Sequence, residues 1–281
     1  MNLAIEHFQR VKNRLTWFIN KVTAKKRTLP KCLIIGAQKA GTSSLYHYLV
    51  QHPQIKQGFC KEVHYFDGGI NEKTDTFNKG VNWYRAHFPL EKNMKDDDIC
   101  IDATPMYLFN PLAPKRIKSL LPDAKLIILL RNPAERAISH YFHVKRHGFE
   151  PLNIENALAN EERRLDHIKS SNNYKHPDFR LFSYKERGIY LEQIKRYQAL
   201  FNKSQILILH SDNLFQQPKA TLRQIFNFLM IDTEVKIGDL KSQNIGNNKT
   251  KVSTDVYEQL QTYFKEANNE LFNHIGEKFD W

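Results

Sequence analysis

The stretch from Cys32 to Ser44 constrains the fold more than any other part of the chain. The apolar run Cys32–Ile35 is typical of a buried β-strand, and it leads directly into the loop Gly36-Ala37-Gln38-Lys39-Ala40-Gly41. A helical pattern follows and is predicted to end near His52-Pro53. The backbone N–H groups at the start of such a helix point outward and favour negative charge. This succession of strand, glycine loop and helix therefore predicts a cradle for a phosphate-like anion.

The rest of the chain continues to alternate between apolar runs and amphipathic patterns. Further strands are predicted over Ile99–Asp102, Lys125–Leu130 and Ile206–Leu209. Helices are predicted over Pro114–Leu121, Asn132–His147, Tyr190–Phe201, Pro218–Leu229 and Asp255–His274, and a short one around Trp83–Phe88 in a surface region 68–98. Strands that alternate with helices form a parallel sheet covered on both faces. We therefore expect an α/β protein with a P-loop-like three-layer αβα fold and a central parallel sheet.

The domain organisation is predicted to be a basic amphipathic N-terminal helix, residues 1–29, followed by one large domain, residues 30–281. Ile5, Phe8, Val11, Leu15, Phe18 and Val22 recur at helical spacing among lysines and arginines. Such a helix lies on an anionic membrane surface or packs on the domain, and the pattern alone allows both. The charged segment 150–187 is expected to be a mobile cap.

The chain is strongly basic, because 42 Lys and Arg outnumber 30 Asp and Glu and give a net charge of +12. This surplus attracts anionic ligands or serves solubility alone. The sequence contains neither a long uninterrupted apolar run nor a signal peptide, so we expect a cytoplasmic location, with residues 1–29 as a candidate contact with the inner face of the membrane. Cys32, Cys60 and Cys100 match no zinc or disulfide spacing.

The glycine loop differs from a Walker A sequence at one informative position. Gly36 and Gly41 have the spacing of G-x-x-x-x-G-K-[ST], but Thr42 occupies the lysine position and Lys39 lies inside the loop. The loop is therefore predicted to bind a phosphate-like anion without a metal ion, although Asp102 remains a candidate magnesium ligand. The alternative is a tight turn with an exposed lysine.

A second motif, Leu126–Tyr141, combines a buried strand with a polar strand end. The strand delivers Arg131 to the carboxyl edge of the sheet, where open α/β sheets bind ligands, and Ser139 follows two helical turns later. A guanidinium and a hydroxyl can hold one phosphate group between them. Alternatively, Arg131 caps a helix or forms an ion pair.

These two motifs, in this order, resemble sulfotransferases that use 3′-phosphoadenosine 5′-phosphosulfate (PAPS), particularly the heparan sulfate N- and O-sulfotransferase-like enzymes. The stretch Lys61-Glu62-Val63-His64-Tyr65-Phe66-Asp67 is similar to the E-x-H-F-F-D stretch of those enzymes. The expected cytoplasmic location favours a bacterial member of the family over an animal Golgi enzyme.

The resemblance implies a set of donor-binding residues. The loop that would hold the 5′-phosphosulfate comprises Gly36, Gln38, Lys39, Ala40, Gly41, Thr42 and Ser43. Arg131 and Ser139 would hold the 3′-phosphate. Gly188-Ile189-Tyr190 is also similar to the family, which makes Tyr190 a candidate cofactor-binding residue. Lys249, Thr250 and Lys251 correspond loosely to the loop that closes over the nucleotide.

The resemblance also implies catalytic roles. Glu62 would be the general base, Lys39 would stabilise the leaving phosphate, and His64 and Asp67 would orient the acceptor or the sulfuryl oxygens. Read without the family, His64 in a strand-like stretch is a core histidine. Ala103 stands where the heparan sulfate enzymes have a lysine, a departure that argues against a glycosaminoglycan acceptor.

The function predicted from the sequence is in-line transfer of a sulfuryl group from PAPS to a hydroxyl or amine of a carbohydrate, lipid or small metabolite. The product nucleotide would be adenosine 3′,5′-bisphosphate (PAP), and neither a metal ion nor a nucleic-acid partner is expected. Two alternatives remain from the residues alone: a P-loop kinase-like enzyme that uses ATP, and a non-enzymatic basic binding protein.

Overall fold

A parallel β-sheet forms the centre of the molecule in the computed structural model, which describes residues 15–241 and 252–281. Its strands are β1 (Cys32–Gly36), β2 (Ile55–Lys56), β3 (Ile99–Ala103), β4 (Lys125–Leu130) and β5 (Ile206–His210). All neighbouring strands run parallel, in the order β2-β3-β1-β4-β5. The sheet therefore extends from β1 to both sides, with β3 and β4 as its neighbours, which places the topological switch point at the end of the first strand.

The central strands are buried on both faces, as the continuous apolar runs predict. Every residue of β1 and β3 is buried, and so is every residue of β4 after Lys125. Ile34 pairs with Ile127 but Gly36 pairs with Ile128, so β1 carries one extra residue at Ile35 before the glycine loop. These features confirm the α/β fold with a central parallel sheet.

Helices follow most of the strands, and several match the sequence prediction closely. They are α1 (Thr42–Leu49), α2 (Val81–Arg85), α3 (Met106–Phe109), α4 (Ala113–Leu120), α5 (Pro133–Arg146), α6 (Ile154–Ala159), α7 (Glu161–Ser170), α8 (Pro177–Leu181), α9 (Tyr190–Gln198), α10 (Ser211–Gln216), α11 (Pro218–Leu229) and α12 (Thr254–Ile275). Short 3₁₀ helices cover Ala24–Lys26, Thr76–Lys79, Glu91–Asn93, Glu186–Gly188 and Lys203–Gln205.

Helix α5 begins where Asn132 and Pro133 predict. The Asn132 side chain accepts hydrogen bonds from the backbone N–H groups of Ala134 and Glu135, at 3.0 and 3.3 Å. Pro133 occupies the first turn, where a missing N–H costs nothing. This cap fixes the direction in which α5 leaves the carboxyl end of β4, and therefore the position of Ser139 relative to Arg131.

The segment 150–187 packs against the domain through two hydrophobic clusters. Ile154 and Leu158 join residues of α5 and α12, whereas Leu165, Ile168 and Phe179 cluster with α3. Glu150 and Arg164 form an ion pair at 2.6 Å within the segment. Its motion as a cap stays a prediction.

Three local features differ from the sequence prediction. In the region 68–98, Tyr84 and Phe88 are almost fully buried and belong to the main core. The stretch 61–67 is irregular rather than strand-like, because Glu62 and His64 have positive φ angles of 61° and 54°, which a β-strand does not permit. The first helix after the glycine loop also ends at Leu49, earlier than predicted, and the short strand β2 follows.

Residues 15–22 are helical, and the preceding fourteen residues of the predicted N-terminal helix lie outside the described residues. Within residues 15–241 and 252–281, no helix combines the length and hydropathy that a membrane crossing requires.

Candidate active site

A cavity of about 730 Å³ opens at the carboxyl end of the sheet. Residues that follow each of the five strands contribute to its wall: the glycine loop after β1, Glu62 after β2, Pro105 after β3, Arg131 after β4 and Ser211 after β5. Convergence of strand ends at one place is the usual origin of a binding site in a parallel sheet. The wall is formed by Gln38, Lys39, Ala40, Gly41, Thr42, Ser43, Glu62, Pro105, Arg131, Ser139, His143, Arg146, His147, Ser211, Asp212 and Phe215.

The glycine loop wraps tightly around the start of α1. Gly41 has a φ angle of 98°, and a Cβ atom there would lie 2.8 Å from the Phe215 ring. A Cβ atom on Gly36 would lie 2.5 Å from the Leu108 side chain, so both glycines are required by close packing. Thr42 and Ser43 are the first two residues of α1, where backbone N–H groups have no acceptor inside the helix. The loop therefore has the geometry that the predicted anion cradle requires, and anion binding by it stays a prediction.

Lys39 is a loop cation in a basic environment. Burial, and then the positive charges of Arg146 and Arg131, lower the pKa of its ammonium group, while Glu62 acts in the opposite direction. Clustered cations repel one another, so an anion bound between them would relieve the repulsion. This arrangement favours a ligand with more than one negative charge.

Arg131 and Ser139 both line the cavity, as predicted. Arg131 donates to the carbonyl oxygen of Lys39 at 3.1 Å and forms an ion pair with Glu135 at 2.9 Å. The ion pair that the alternative interpretation of Arg131 predicted is thus present, whereas its contact with a phosphate stays a prediction. Glu135 and the Lys39 carbonyl hold the guanidinium in place beside the glycine loop.

Glu62 belongs to a chain of three charged side chains. His64 Nδ1 lies 2.6 Å from Asp67 Oδ2, and His64 Nε2 lies 3.7 Å from Glu62 Oε2. Lys61 donates to Glu62 Oε1 at 2.7 Å. Glu62 is half-exposed in the cavity wall, whereas His64 and Asp67 are buried behind it. His64 and Asp67 are not among the residues of the cavity wall, and their role in orienting the acceptor or the sulfuryl oxygens stays a prediction.

Neighbouring charged side chains shift the pKa values of His64 and Glu62. Burial alone would lower the pKa of His64, but the Asp67 carboxylate and then Glu62 raise it to about 9. Burial would raise the pKa of Glu62, but hydrogen bonds from His64 and Lys61 and their positive charges lower it to about 2. At neutral pH Glu62 is therefore ionised and His64 is protonated.

The backbone is strained at the same residues. Lys39, Glu62 and His64 have φ angles of 69°, 61° and 54°, and they are three of the five non-glycine residues with positive φ in the described part of the chain. Each such conformation costs on the order of 1–2 kcal/mol, and strain of this kind clusters at functional sites.

A hydrogen-bond network anchors the Glu62 segment to the sheet. The Glu62 backbone N–H donates to the carbonyl of Ala103 at 3.1 Å, and the Tyr65 N–H donates to the Tyr107 hydroxyl at 3.0 Å. That hydroxyl in turn donates to Asp102 at 3.0 Å, as do Tyr84 and Thr104 at 2.8 Å. Asp102, considered above as a magnesium ligand, is thus a buried structural acceptor outside the cavity wall.

The orientation of Gln38 is set by Arg187, which the sequence analysis overlooked. The Arg187 guanidinium is buried, donates to the carbonyls of Phe179 and Arg180 at 3.2 and 3.0 Å, and also donates to Gln38 Oε1. Its centre lies 4.7 Å from the Phe109 ring. A guanidinium can only donate, so Gln38 must use its oxygen toward Arg187 and keep its NH₂ group for the cavity.

Sequence reasoning also missed other residues of the cavity wall. His143, Arg146 and His147 lie on or directly after α5, one to two turns beyond Ser139, and a helical projection of that motif could have found them. Burial and then Lys39 lower the pKa of His143 to about 4, so this imidazole is neutral at pH 7. Phe215 exposes 41% of its surface at the wall, and no sequence signal marked it.

Not every predicted residue reaches the wall. Tyr190 is buried and donates its hydroxyl to the Arg131 carbonyl at 2.8 Å, so it supports the end of β4 from behind. Lys249, Thr250 and Lys251 lie outside the described residues. Within the described ranges, no group of three or more His, Cys, Asp or Glu side chains is arranged to hold a metal ion.

The parallel sheet, the glycine-loop cradle and the basic cavity define an α/β protein of the phosphate-loop class. The sequence model of the sulfotransferase domain matches residues 29–281. The chain therefore belongs to the sulfotransferase domain family, and it is an enzyme of the sulfuryl-transfer class. This result confirms the resemblance drawn from the two phosphate motifs.

Individual relatives agree with this assignment. The chain is 26% identical to the membrane-associated sulfotransferase kil1 of Dictyostelium discoideum, over 92% of this chain and 68% of that protein. It is 32% identical to the bifunctional heparan sulfate N-deacetylase/N-sulfotransferase 4 of Mus musculus, over 72% of this chain. The alignment spans only 22% of the mouse protein's length.

Solved structures share the fold. A sulfotransferase from Alicyclobacillus acidocaldarius superimposes with a TM-score of 0.70 at 29% identity, covering 90% of this chain and 98% of that one. A mouse sulfotransferase crystallised with PAP has a TM-score of 0.53 at 13% identity and covers 88% of each chain, a likeness of fold alone.

Proposed function

We propose that this protein transfers a sulfuryl group from PAPS to a hydroxyl or amine of a carbohydrate, lipid or small metabolite. The observation that carries the proposal is a single cavity that joins the glycine-loop cradle, the Arg131–Ser139 pair and Glu62. The first two provide separate sites for two anionic groups, and Glu62 provides a carboxylate for the acceptor. A nucleotide with phosphates at both the 3′ and 5′ positions carries two such groups.

The donor fits the cavity by chemistry and by size. The cradle at Gly41, Thr42 and Ser43 would hold the 5′-phosphosulfate, and Arg131 with Ser139 would hold the 3′-phosphate. The exposed ring of Phe215 offers an apolar face for the purine. A volume of about 730 Å³ lies within the usual range for sites of this size.

The proposed reaction is an in-line displacement at sulfur. The acceptor oxygen or nitrogen forms a bond to sulfur while the bridging bond between sulfur and the phosphate oxygen breaks, and that oxygen keeps the electron pair and leaves as part of PAP. The acceptor proton passes to Glu62, which is ionised at neutral pH. Because the pKa of Glu62 is about 2, this carboxylate is too weak a base to remove the proton beforehand, and the proton would pass to it only as the new bond to sulfur forms.

Two further residues would act on the developing charge. Lys39 would stabilise the leaving phosphate oxygen, since it is the ammonium group within the cradle. The Gln38 NH₂ group, oriented by Arg187, would donate to a sulfuryl oxygen and hold the group in line. Gln38 is already held in place before the ligand arrives, by its hydrogen bond from Arg187.

The acceptor is the least defined part of the proposal. The relationship to heparan sulfate N-sulfotransferases favours a carbohydrate. Ala103 stands where those enzymes have a lysine, so this chain would differ from them in how it handles the acceptor. Arg146 lies in the wall, where it could pair with an anionic group of the acceptor. The cytoplasmic location stays a prediction from the sequence.

The donor site can be tested by calorimetric titration with PAP, with ADP and with ATP plus magnesium. We expect PAP to bind most tightly and without a requirement for magnesium, because only PAP carries the 3′-phosphate. Glu62→Gln should keep PAP affinity and lose turnover, measured as PAP release from PAPS with a panel of acceptors. Preference for ATP with magnesium would instead support the kinase-like alternative, and the absence of any nucleotide binding would refute the proposed donor site.

A further inference from the structure

The helix over residues 15–22 carries an apolar stripe that faces solvent. Leu15, Phe18, Ile19 and Val22 are 60%, 62%, 50% and 72% exposed. Their spacing of three and four residues places them on one side of the helix. Single exposed apolar side chains are ordinary, but four neighbours on one stripe form a contiguous patch, which marks an interaction surface.

The opposite side of this helix is attached to the domain. Trp17 packs on the His87 ring with a centroid distance of 4.6 Å and on Phe59 at 6.1 Å. Asn20 is buried and accepts a hydrogen bond from Arg27 at 2.6 Å, while Arg27 also donates to the Phe88 carbonyl. These contacts hold the helix in one orientation, so it cannot bury the stripe by rotating about its own axis.

The surroundings of the stripe are positively charged. Lys21, Lys25 and Lys26 are exposed, and the sequence contains no Asp or Glu between residues 7 and 61. Lys79 lies over the Trp83 ring on the neighbouring segment, and Glu91, the carboxylate on an adjacent element, is paired with Arg85 at 3.3 Å. An apolar stripe flanked by lysines complements a surface that offers both hydrocarbon and negative charge.

We propose that this face, formed by Leu15, Phe18, Ile19, Val22 and the three lysines, docks the protein peripherally on an anionic lipid bilayer. The apolar side chains would enter the boundary between headgroups and acyl chains, and the ammonium groups would contact lipid phosphates. The contact is interfacial: it requires no membrane-crossing segment and uses residues outside the sulfuryl-transfer cavity.

The test is co-sedimentation of the full chain with vesicles of phosphatidylcholine containing about 30% phosphatidylglycerol, beside vesicles of phosphatidylcholine alone. We expect binding to the anionic vesicles that weakens as salt is raised, and at least about tenfold weaker binding to the neutral ones. Phe18→Ser with Val22→Ser should weaken vesicle binding at least about tenfold, since both side chains lie on the stripe. Replacing the three lysines by glutamine should abolish the salt dependence.

Met230→Ser is the matched control, because Met230 is 83% exposed but lies at the end of α11. It should bind vesicles like the wild type, and every variant should retain PAP affinity and thermal stability. Vesicle binding that the stripe variants leave unchanged would overturn the proposal. A second result would also overturn it: the wild type does not bind vesicles but forms a dimer, seen by light scattering, and the stripe variants dissociate that dimer. The stripe would then bind a second copy of this chain.

Discussion

The protonation of His64 is the most quantitative consequence of the site geometry. Asp67 at 2.6 Å and Glu62 at 3.7 Å outweigh the effect of burial and raise the pKa of His64 from its ordinary 6.5 to about 9. A shift of this size corresponds to a contribution of about 3 kcal/mol to folding, at about 1.4 kcal/mol per pKa unit. Because the folded-state pKa is raised, the contribution is fully present below pH 6.5 and is lost as the pH rises through 9.

His64→Asn removes this titration and therefore isolates it. The quantity of interest is the free energy of unfolding of the wild type minus that of the variant. We expect this difference to be about 3 kcal/mol larger near pH 6 than near pH 10. Urea unfolding of both proteins across this range, followed by fluorescence, measures the difference. Activity should fall over the same alkaline range, because neutral His64 no longer holds the Glu62 carboxylate in place.

His87 provides the control for this experiment. Burial lowers the pKa of His87 to about 4, so it is neutral throughout the alkaline range. His87→Asn should change stability by an amount that does not vary between pH 6 and pH 10. The reasoning would be refuted if the His64→Asn difference were equally flat, or if NMR titration placed the pKa of His64 below 7.

Three further substitutions test other parts of the site. Lys39→Met should reduce kcat about 10²- to 10³-fold, as expected on losing a group that stabilises developing charge, and should reduce donor affinity far less. Single-turnover assays measure the change in rate. Arg131→Ala should weaken PAP binding about 10- to 100-fold and ADP binding much less, as measured by calorimetry, and equal weakening would mean that Arg131 does not contact the 3′-phosphate. Arg187→Met should lower kcat with little change in donor KM. Adding Gln38→Met should lower kcat little further, because both substitutions remove the same oriented NH₂ group. Fully additive losses in a double-mutant cycle would contradict this coupling.

The parts of the site that the sequence predicted are those encoded in contiguous residues. The glycine loop and the Arg131–Ser139 motif each combine a buried strand, a polar strand end and a helix within about fifteen residues. Helix periodicity then places Ser139 on the same side as the strand end. This local coding explains why both motifs were found and why both line one cavity.

The errors arose where distant contacts override local pattern. The stretch 61–67 contains a strand-like pattern but is not a strand, because the Ala103 carbonyl and the Tyr107 hydroxyl hold its backbone in an irregular path. Tyr84 in the polar region 68–98 is buried because its ring stacks on Tyr65 at 4.5 Å and its hydroxyl reaches Asp102. Neither contact is visible as a periodic pattern.

By itself, the sequence determined the alternation of strands and helices, the parallel sheet and the two motifs predicted to bind anions. These depend on side-chain periodicity and on the chemistry of short loops, both of which are properties of neighbouring residues. Only the tertiary structure decided that His64 and Asp67 stand behind Glu62, that Arg187 orients Gln38, and that Phe215 closes over Gly41. Those relations join residues up to about 170 positions apart, because parallel strands bring their carboxyl ends together regardless of separation along the chain.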